Sequence, residues 1–185
     1  MARVLGIDPG FASLGFALAD VHGNGVAGLD VVTLGVVRTE KSDAKRAVLA
    51  ADDNLRRARE LTRVLTPLFE GVQVVCAESM SFPRNSSAAA KVAMCWGVVA
   101  SLAEQRDIPI VQVSPKELKK TVCGDAAASK EMVQKALDGL LGRVFSTELL
   151  GNGVPAGLHE HAYDALGTIV AARNSEVLRL IRRLS

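Results

Sequence analysis

Three carboxylates and one imidazole stand where apolar segments stop, and those residue types suit one kind of chemistry. Asp8 closes the run Val4-Leu5-Gly6-Ile7, and Glu78 follows Val74-Val75-Cys76-Ala77. Asp164 lies in a segment that otherwise offers Ala162, Ala165, Leu166, Ile169 and Val170 to a core. A charge at the end of an apolar strand is costly unless it is paired or bound to a cation. Acids that converge in a partly dry place repel one another strongly, and a divalent cation removes that conflict. His161 stands three residues before Asp164, so the two side chains share one face of a helix. Imidazole beside carboxylate suits Mn²⁺ better than Mg²⁺; it is equally suited to shuttling a proton. Taken singly, each acid has a plainer reading, Asp8 as an acceptor in the Asp-Pro-Gly turn and Asp164 as a solvated helix residue. Their joint placement is what points to a metal site. The string His159-Glu160-His161 invites a zinc reading, but HExxH needs a second histidine four residues after His159, where Tyr163 stands. His159 and Glu160 therefore read as helix-start residues.

These side chains need a scaffold that brings distant segments together. Residues 2–7 and 14–21 read as strands joined by the turn DPGFAS, and a third strand follows at 30–38. Gly23, Gly25 and Gly28 spell GxGxxG, yet a dinucleotide fingerprint must open a helix, and a β-branched strand follows instead. The glycines read as a hairpin turn. Residues 43–69 change period to a helix with Ser42 or Asp43 as N-cap. Its inward face is Ala51, Leu55, Ala58, Thr62, Leu65 and Leu68 or Phe69, and Arg56, Arg57, Arg59 and Arg63 face outward, towards solvent or DNA. Residues 72–78 read as a buried parallel strand. A helix runs from Ser86 or Ser87 to about Arg106, and a fifth strand covers 110–113. Helices near 115–122 and 129–141 come next, then a loop with four glycines and a proline (142–157), a helix over 159–173 and a short basic tail. Three antiparallel strands followed by helix-strand-helix-strand-helices predict a mixed α/β sheet with helices on its faces. Sites form at strand ends in such sheets.

Composition bounds the rest. A chain of 185 residues allows one domain, 1–185, with a sizeable core. With 49% hydrophobic and 23% charged residues, disorder is excluded, and 4% aromatic argues against a base-stacking platform. Twenty-two basic and 20 acidic residues leave +2, so any face for a polyanion must be local. Cys76, Cys95 and Cys123 are odd in number and scattered, which fits a reducing compartment better than a disulfide framework. The opening MARVLGIDPG has no apolar signal core, and the run 92–103 is broken by Gly97 and Ser101, short of the ~20 residues a bilayer requires. The expectation is a soluble cytoplasmic protein without a membrane partner.

The blocks GIDPG (6–10) with Gly15, the strand ending in Glu78, and H-x-x-D-A-L (161–166) together resemble the RuvC family of Holliday-junction resolvases, in the RNase H-like superfamily. Asn85 to Gly97 has the family's small-residue texture. Ser114 to Val133 resembles its segment of helix, KxTV, glycine turn and lysine-opened helix. The likeness covers about residues 1–172. It implies an RNase H-like fold with a mixed five-stranded sheet, three strands antiparallel and then two parallel. It further implies that Asp8, Glu78, His161 and Asp164 bind two catalytic divalent ions, Mg²⁺ with Mn²⁺ as a substitute. Lys119 matches a lysine near the scissile phosphate, and Lys130 a second DNA-contacting lysine. Gly10 and Gly15 would permit close backbone approach. One departure is visible: the family usually has an aromatic three residues after the glutamate, where this chain has Ser81, with Phe82 one later. Phe82, Arg84 and Lys120 complete the expected DNA contacts.

The implied reaction is two-metal phosphodiester hydrolysis, with cations about 4 Å apart. Asp8 would bridge them, and Lys119 would stabilise charge on the phosphate. A four-way junction needs two symmetric nicks, which a C2 homodimer supplies. Met94, Trp96 and Val98 on the helix over 86–106 are interface candidates, and core packing reads them equally well. Phosphate contacts from Lys116, Lys119, Lys120, Lys130 and Lys135 would make binding fall steeply with salt. Three other readings stand beside this one. They are a nuclease of this fold acting on forks, flaps or single strands, a catalytically silent junction-binding protein, and an ATP-using relative of the same superfamily. A branch-migration helicase partner is left open by the sequence.

Overall fold

The three opening runs become strands β1 (Ala2–Asp8), β2 (Ser13–Val21) and β3 (Leu29–Arg38), joined later by β4 (Val74–Glu78) and β5 (Ile110–Val113). The computed structural model describes residues 1–23, 28–42, 49–80, 84–151 and 153–184. The strands form one five-stranded sheet in the order β3-β2-β1-β4-β5. β1–β2 and β2–β3 are antiparallel, whereas β1–β4 and β4–β5 are parallel. This is the mixed α/β sheet expected, with β1 at its centre. Val21 pairs with Leu29 across the β2–β3 connection, so Gly23 and Gly28 flank a hairpin and do not open a helix; Gly25 lies outside the described residues.

The helices are α1 (Ala50–Leu65), α2 (Ser86–Glu104), α3 (Pro115–Cys123), α4 (Lys130–Leu141), α5 (Phe145–Glu148), α6 (His159–Ala172) and α7 (Glu176–Leu184). They divide between the two faces of the sheet. Leu5, Ile7, Val75 and Ala77 point into one core with α1 and α2. Val4, Val74 and Cys76 point into the other, shared with α3, α4, α6 and α7. Successive strand side chains alternate between faces. Asp8 therefore lies on the side of Val4, and Glu78 on the side of Val74 and Cys76, which is the face that α6 covers.

α6 approaches that face closely. A Cβ on Gly15 would stand 1.9 Å from the His161 carbonyl oxygen, and one on Gly6 would stand 2.1 Å from that of Ala165. No side chain fits in either place, so glycine there is what lets the helix carrying His161 and Asp164 rest on β1 and β2. Thr168 adds a polar pin, its buried hydroxyl donating to the Cys76 carbonyl at 2.9 Å.

Several local expectations are corrected. α1 begins at Ala50 with Leu49 at its N-cap, not at Ser42; Asp43 lies outside the described residues. Its inward face is Arg57, Leu61 and Leu65, while Leu55 is 58% exposed. Arg57 is therefore buried, not outward, because neutral acceptors and a ring from other segments receive its guanidinium. The α1 helix gives way to a 3-10 turn at Thr66–Phe69, where Pro67 has no N–H to continue the ladder. The 142–157 loop contains α5 and a 3-10 turn at Ala156–Leu158, and the basic tail is the helix α7, whose Leu178 is buried and whose Ser175 hydroxyl accepts from Leu178 N. α2 is long and apolar enough in composition to match a membrane span. Its inward stripe of Cys95, Trp96, Val99 and Leu102 is nevertheless buried in the core it shares with α1. Trp96 is thereby a core residue, with Met94 and Val98 half-buried beside it.

Candidate active site

The last residue of β1, the last of β4 and the first two turns of α6 meet at one end of one face of the sheet. Asp8 and His161 are in direct contact, Oδ2 to Nδ1 at 2.7 Å, although 153 positions separate them in sequence. The contact engages Nδ1 and leaves Nε2 as the nitrogen that could face a ligand. The Asp8 carboxylate raises the His161 pKa above its ordinary value, against the opposing effect of burial. The side chains of Asp8, His161 and Asp164 are 15%, 25% and 17% exposed.

Electrostatics ties Glu78 and Asp164 to the same place. Burial first, and then the Asp8 and Asp164 charges, push the Glu78 carboxyl up to about 7, against the opposing charges of Lys130 and His161. Burial likewise pushes Asp164 up to about 6, with Asp8 the next cause and Lys130 opposing. These are acids that resist losing their protons unless a cation is near. Among the described residues, no three His, Cys, Asp or Glu side chains stand close enough to hold one ion as they are placed. The cluster is open, with one tight pair. Three carboxylates and an imidazole on one face still form a donor set suited to a hard divalent cation. A cation would relieve the repulsion that Glu78 and Asp164 feel. The residues fit the group.

Lys130 comes into the cluster in a way the sequence did not disclose. Its Nζ lies 2.9 Å from Glu160 and 3.7 Å from Asp164. Glu160, read as a plain helix-start residue, thus holds the lysine expected to contact DNA. His159 behaves as expected, its Nε2 bonded to the Val154 carbonyl at 2.8 Å at the start of α6. Lys119 is half-buried on α3, where its charge is felt by Cys123, and among the described residues no ion pair joins it to the acids. Lys120 and Arg84 are exposed. Phe82 and Ser81 lie outside the described residues. The three cysteines are free; burial raises the Cys76 thiol, and takes Cys95 up to about 12, so neither is a ready thiolate ligand.

A family model described as "Crossover junction endodeoxyribonuclease RuvC" matches residues 4–145. A relative of that name in Pseudothermotoga lettingae is 32% identical over 140 residues, covering 75% of this chain and 79% of its own. One in Trichlorobacter lovleyi is 31% identical over 179 residues, covering 96% and 88%, a span long enough to take in α6. Among solved structures, Thermus thermophilus RuvC is similar at TM-score 0.66 and 26% identity over 91% of this chain and 92% of that one. The same protein in complex with a Holliday junction substrate is similar in fold at TM-score 0.73 and 23% identity, over 99% and 96%.

Proposed function

The chain belongs to the RuvC family of crossover junction endodeoxyribonucleases, and from that premise we propose that it resolves four-way DNA junctions by paired symmetric nicks. The observation that carries the site assignment is the 2.7 Å contact between Asp8 and His161. It joins the end of the central strand to the helix bearing Asp164, while Glu78 responds to the charges of both acids.

In this reading Asp8, Glu78, His161 and Asp164 hold the divalent ions, two per site, with Mg²⁺ the working ion and Mn²⁺ a substitute. Bound there, such ions would neutralise the scissile phosphate and lower the pKa of water. The chain's own residues do the rest. Asp8, fixed by strand pairing to Gly15, sets the depth at which a phosphate can enter. His161, held by Asp8, offers Nε2 to a ligand or to a proton. Lys130 leaves Glu160 for a phosphate oxygen, and Lys119, with Lys116, Lys120 and Lys135, lines the approach from α3 and α4. Arg84 and Phe82 would touch DNA beyond the end of β4.

Residues 1–185 act as one nuclease domain and pair as a C2 homodimer, which gives two sites for the two strands. The face of α2 turned away from the core, with Ala90, Ala93, Gly97 and Ala100 exposed, supports a close helix contact between copies. The location proposed is the cytoplasm, with no membrane partner.

Purified protein incubated with labelled four-way junction, fork, flap, duplex and single-stranded DNA tests this directly. Paired, ligatable nicks on the junction alone, dependent on Mg²⁺ or Mn²⁺, are expected. Equal cutting of forks and flaps would replace the junction by branched DNA in general, and tight junction binding without cutting would make the chain a silent binder.

A further inference from the structure

Arg57 is 4% exposed, and among the described residues no carboxylate pairs with it. Asp53, one turn earlier on α1, feels its charge, but that carboxylate is engaged by Arg56 at 2.9 Å. A guanidinium taken out of water without a counter-ion is expensive to keep. What surrounds it is specific. Its Nε donates to the Thr39 hydroxyl oxygen at 2.9 Å and its terminal nitrogen to the Thr39 carbonyl at 3.1 Å. Its guanidinium carbon lies 4.6 Å from the centre of the Phe11 ring.

Thr39 passes that restraint on. Its hydroxyl donates to the Phe11 carbonyl at 2.6 Å, and its backbone N–H donates to the Ala12 carbonyl at 3.0 Å. Phe11 and Ala12 lie in the turn between β1 and β2, which begins at Asp8. The turn is tight: a Cβ on Gly10 would stand 2.0 Å from the Ser13 carbonyl oxygen. The residue after β3, a buried arginine on α1 and a ring in the turn therefore converge on the backbone segment that leaves Asp8.

We propose that Arg57 is a positioning residue for the metal site, acting through Thr39 to lock the turn that sets the Asp8 carboxylate. The inference rests on Asp8 as a metal ligand. Outer partners that orient a ligand commonly cost about 10–100-fold in metal affinity when removed, and one acting at two steps' remove belongs near the lower figure.

Mn²⁺ titration by calorimetry, on variants checked for folding by circular dichroism, tests it without relying on cleavage. Arg57→Met and Thr39→Val should each weaken Mn²⁺ binding about tenfold, and together no more than either alone, because they break one chain of contacts. Thr39→Ser, which keeps the hydroxyl, should bind Mn²⁺ like wild type. Leu102→Ala, which opens the same core further along α2, should lower the melting temperature but not the affinity. Wild-type affinity in a folded Arg57→Met or Thr39→Val protein overturns the inference and leaves Arg57 as a structural brace. If Asp8→Asn binds Mn²⁺ as wild type does, the ligand role of Asp8 falls and this inference with it. Loss of binding in Asp8→Asn alone sinks only the part played by Arg57.

Discussion

Replacing Glu78 by glutamine should stabilise the metal-free protein at alkaline pH and not at acid pH. Burial, then the Asp8 and Asp164 charges, lift the Glu78 carboxyl from 4.5 to about 7. The folded protein therefore holds a proton there that the unfolded chain has already released. Stability is fully present below about pH 4.5 and is lost as pH rises through about 7. At about 1.4 kcal/mol per pH unit, the fully ionised carboxylate costs about 3 kcal/mol of folding free energy. Glu78 is only half-buried, and solvent screening brings the gain on substitution down to about 2 kcal/mol. For a chain of this length 1 kcal/mol moves the melting temperature by roughly 2–4 °C. Thermal unfolding in EDTA at pH 4, 6 and 8 should then show the two proteins together at pH 4 and the variant about 4–8 °C higher at pH 8. Asp164, pushed up to about 6 by burial and by Asp8, titrates in the same direction, so the comparison is made between proteins at each pH. Millimolar Mg²⁺ or Mn²⁺ should reverse the order at pH 8. A variant equally less stable than wild type at pH 4 and pH 8 in EDTA would refute the reasoning, because Glu78 would then be an ordinary satisfied acid.

Other perturbations separate the parts of the site. Asp8→Asn removes a proposed metal ligand and a negative charge, so gel-shift assays should find junction binding retained while cleavage is abolished; wild-type cleavage would discard the metal assignment. Gly15→Ala drives a methyl into the His161 carbonyl, so a loss of about 1–3 kcal/mol or more and of cleavage is expected. Gly35→Ala, which meets the Phe16 ring instead, should fold and cut better in the same assays. Lys130→Met removes the cation beside Glu160 and Asp164. Mn²⁺ affinity in calorimetry should rise without DNA, while the slope of log junction affinity against log salt falls by about one; an unchanged slope would take Lys130 off the DNA.

The sheet was readable because apolar alternation and turn residues carry strands directly: β5 falls where Ile110–Val113 was read, and β1 and β4 end on the acids that mark them. The i, i+3 spacing puts His161 on the helix face of Asp164, whereas it takes the β1–β4 register, with Ile7 beside Ala77, to put Asp8 and Glu78 on one face. Which face of the sheet α6 covers is not local information, and the glycines that decide it, Gly6 and Gly15, look like any others until the His161 and Ala165 carbonyls stand over them. Arg57 was misplaced for a related reason. A polar-out rule treats an arginine as solvated, and its true partners, Thr39 and Phe11, are 18 and 46 positions away. The Lys130–Glu160 pair spans two helices that are distant in sequence. The α7 helix, by contrast, carried a local signal in Ser175, whose hydroxyl caps it.

The charge distribution imposes an order on the proposed reaction. Asp8, Glu78, Asp164 and Glu160 stand around only two nearby cations among the described residues, Lys130 and a His161 whose proton Asp8 favours. A phosphodiester brought to that centre meets like charge at short range in a site where screening is weak. The lysines of α3 and α4 can draw DNA to the rim, but Lys130 is tied to Glu160 and Asp164 as long as those acids lack another counter-charge. Divalent cations held by these acids would supply it, leaving the lysine free for phosphate and the repulsion relieved. Tight seating of the scissile phosphate should therefore follow metal loading and not precede it, because an acid left without its proton or its ion would repel the phosphate from the unloaded site.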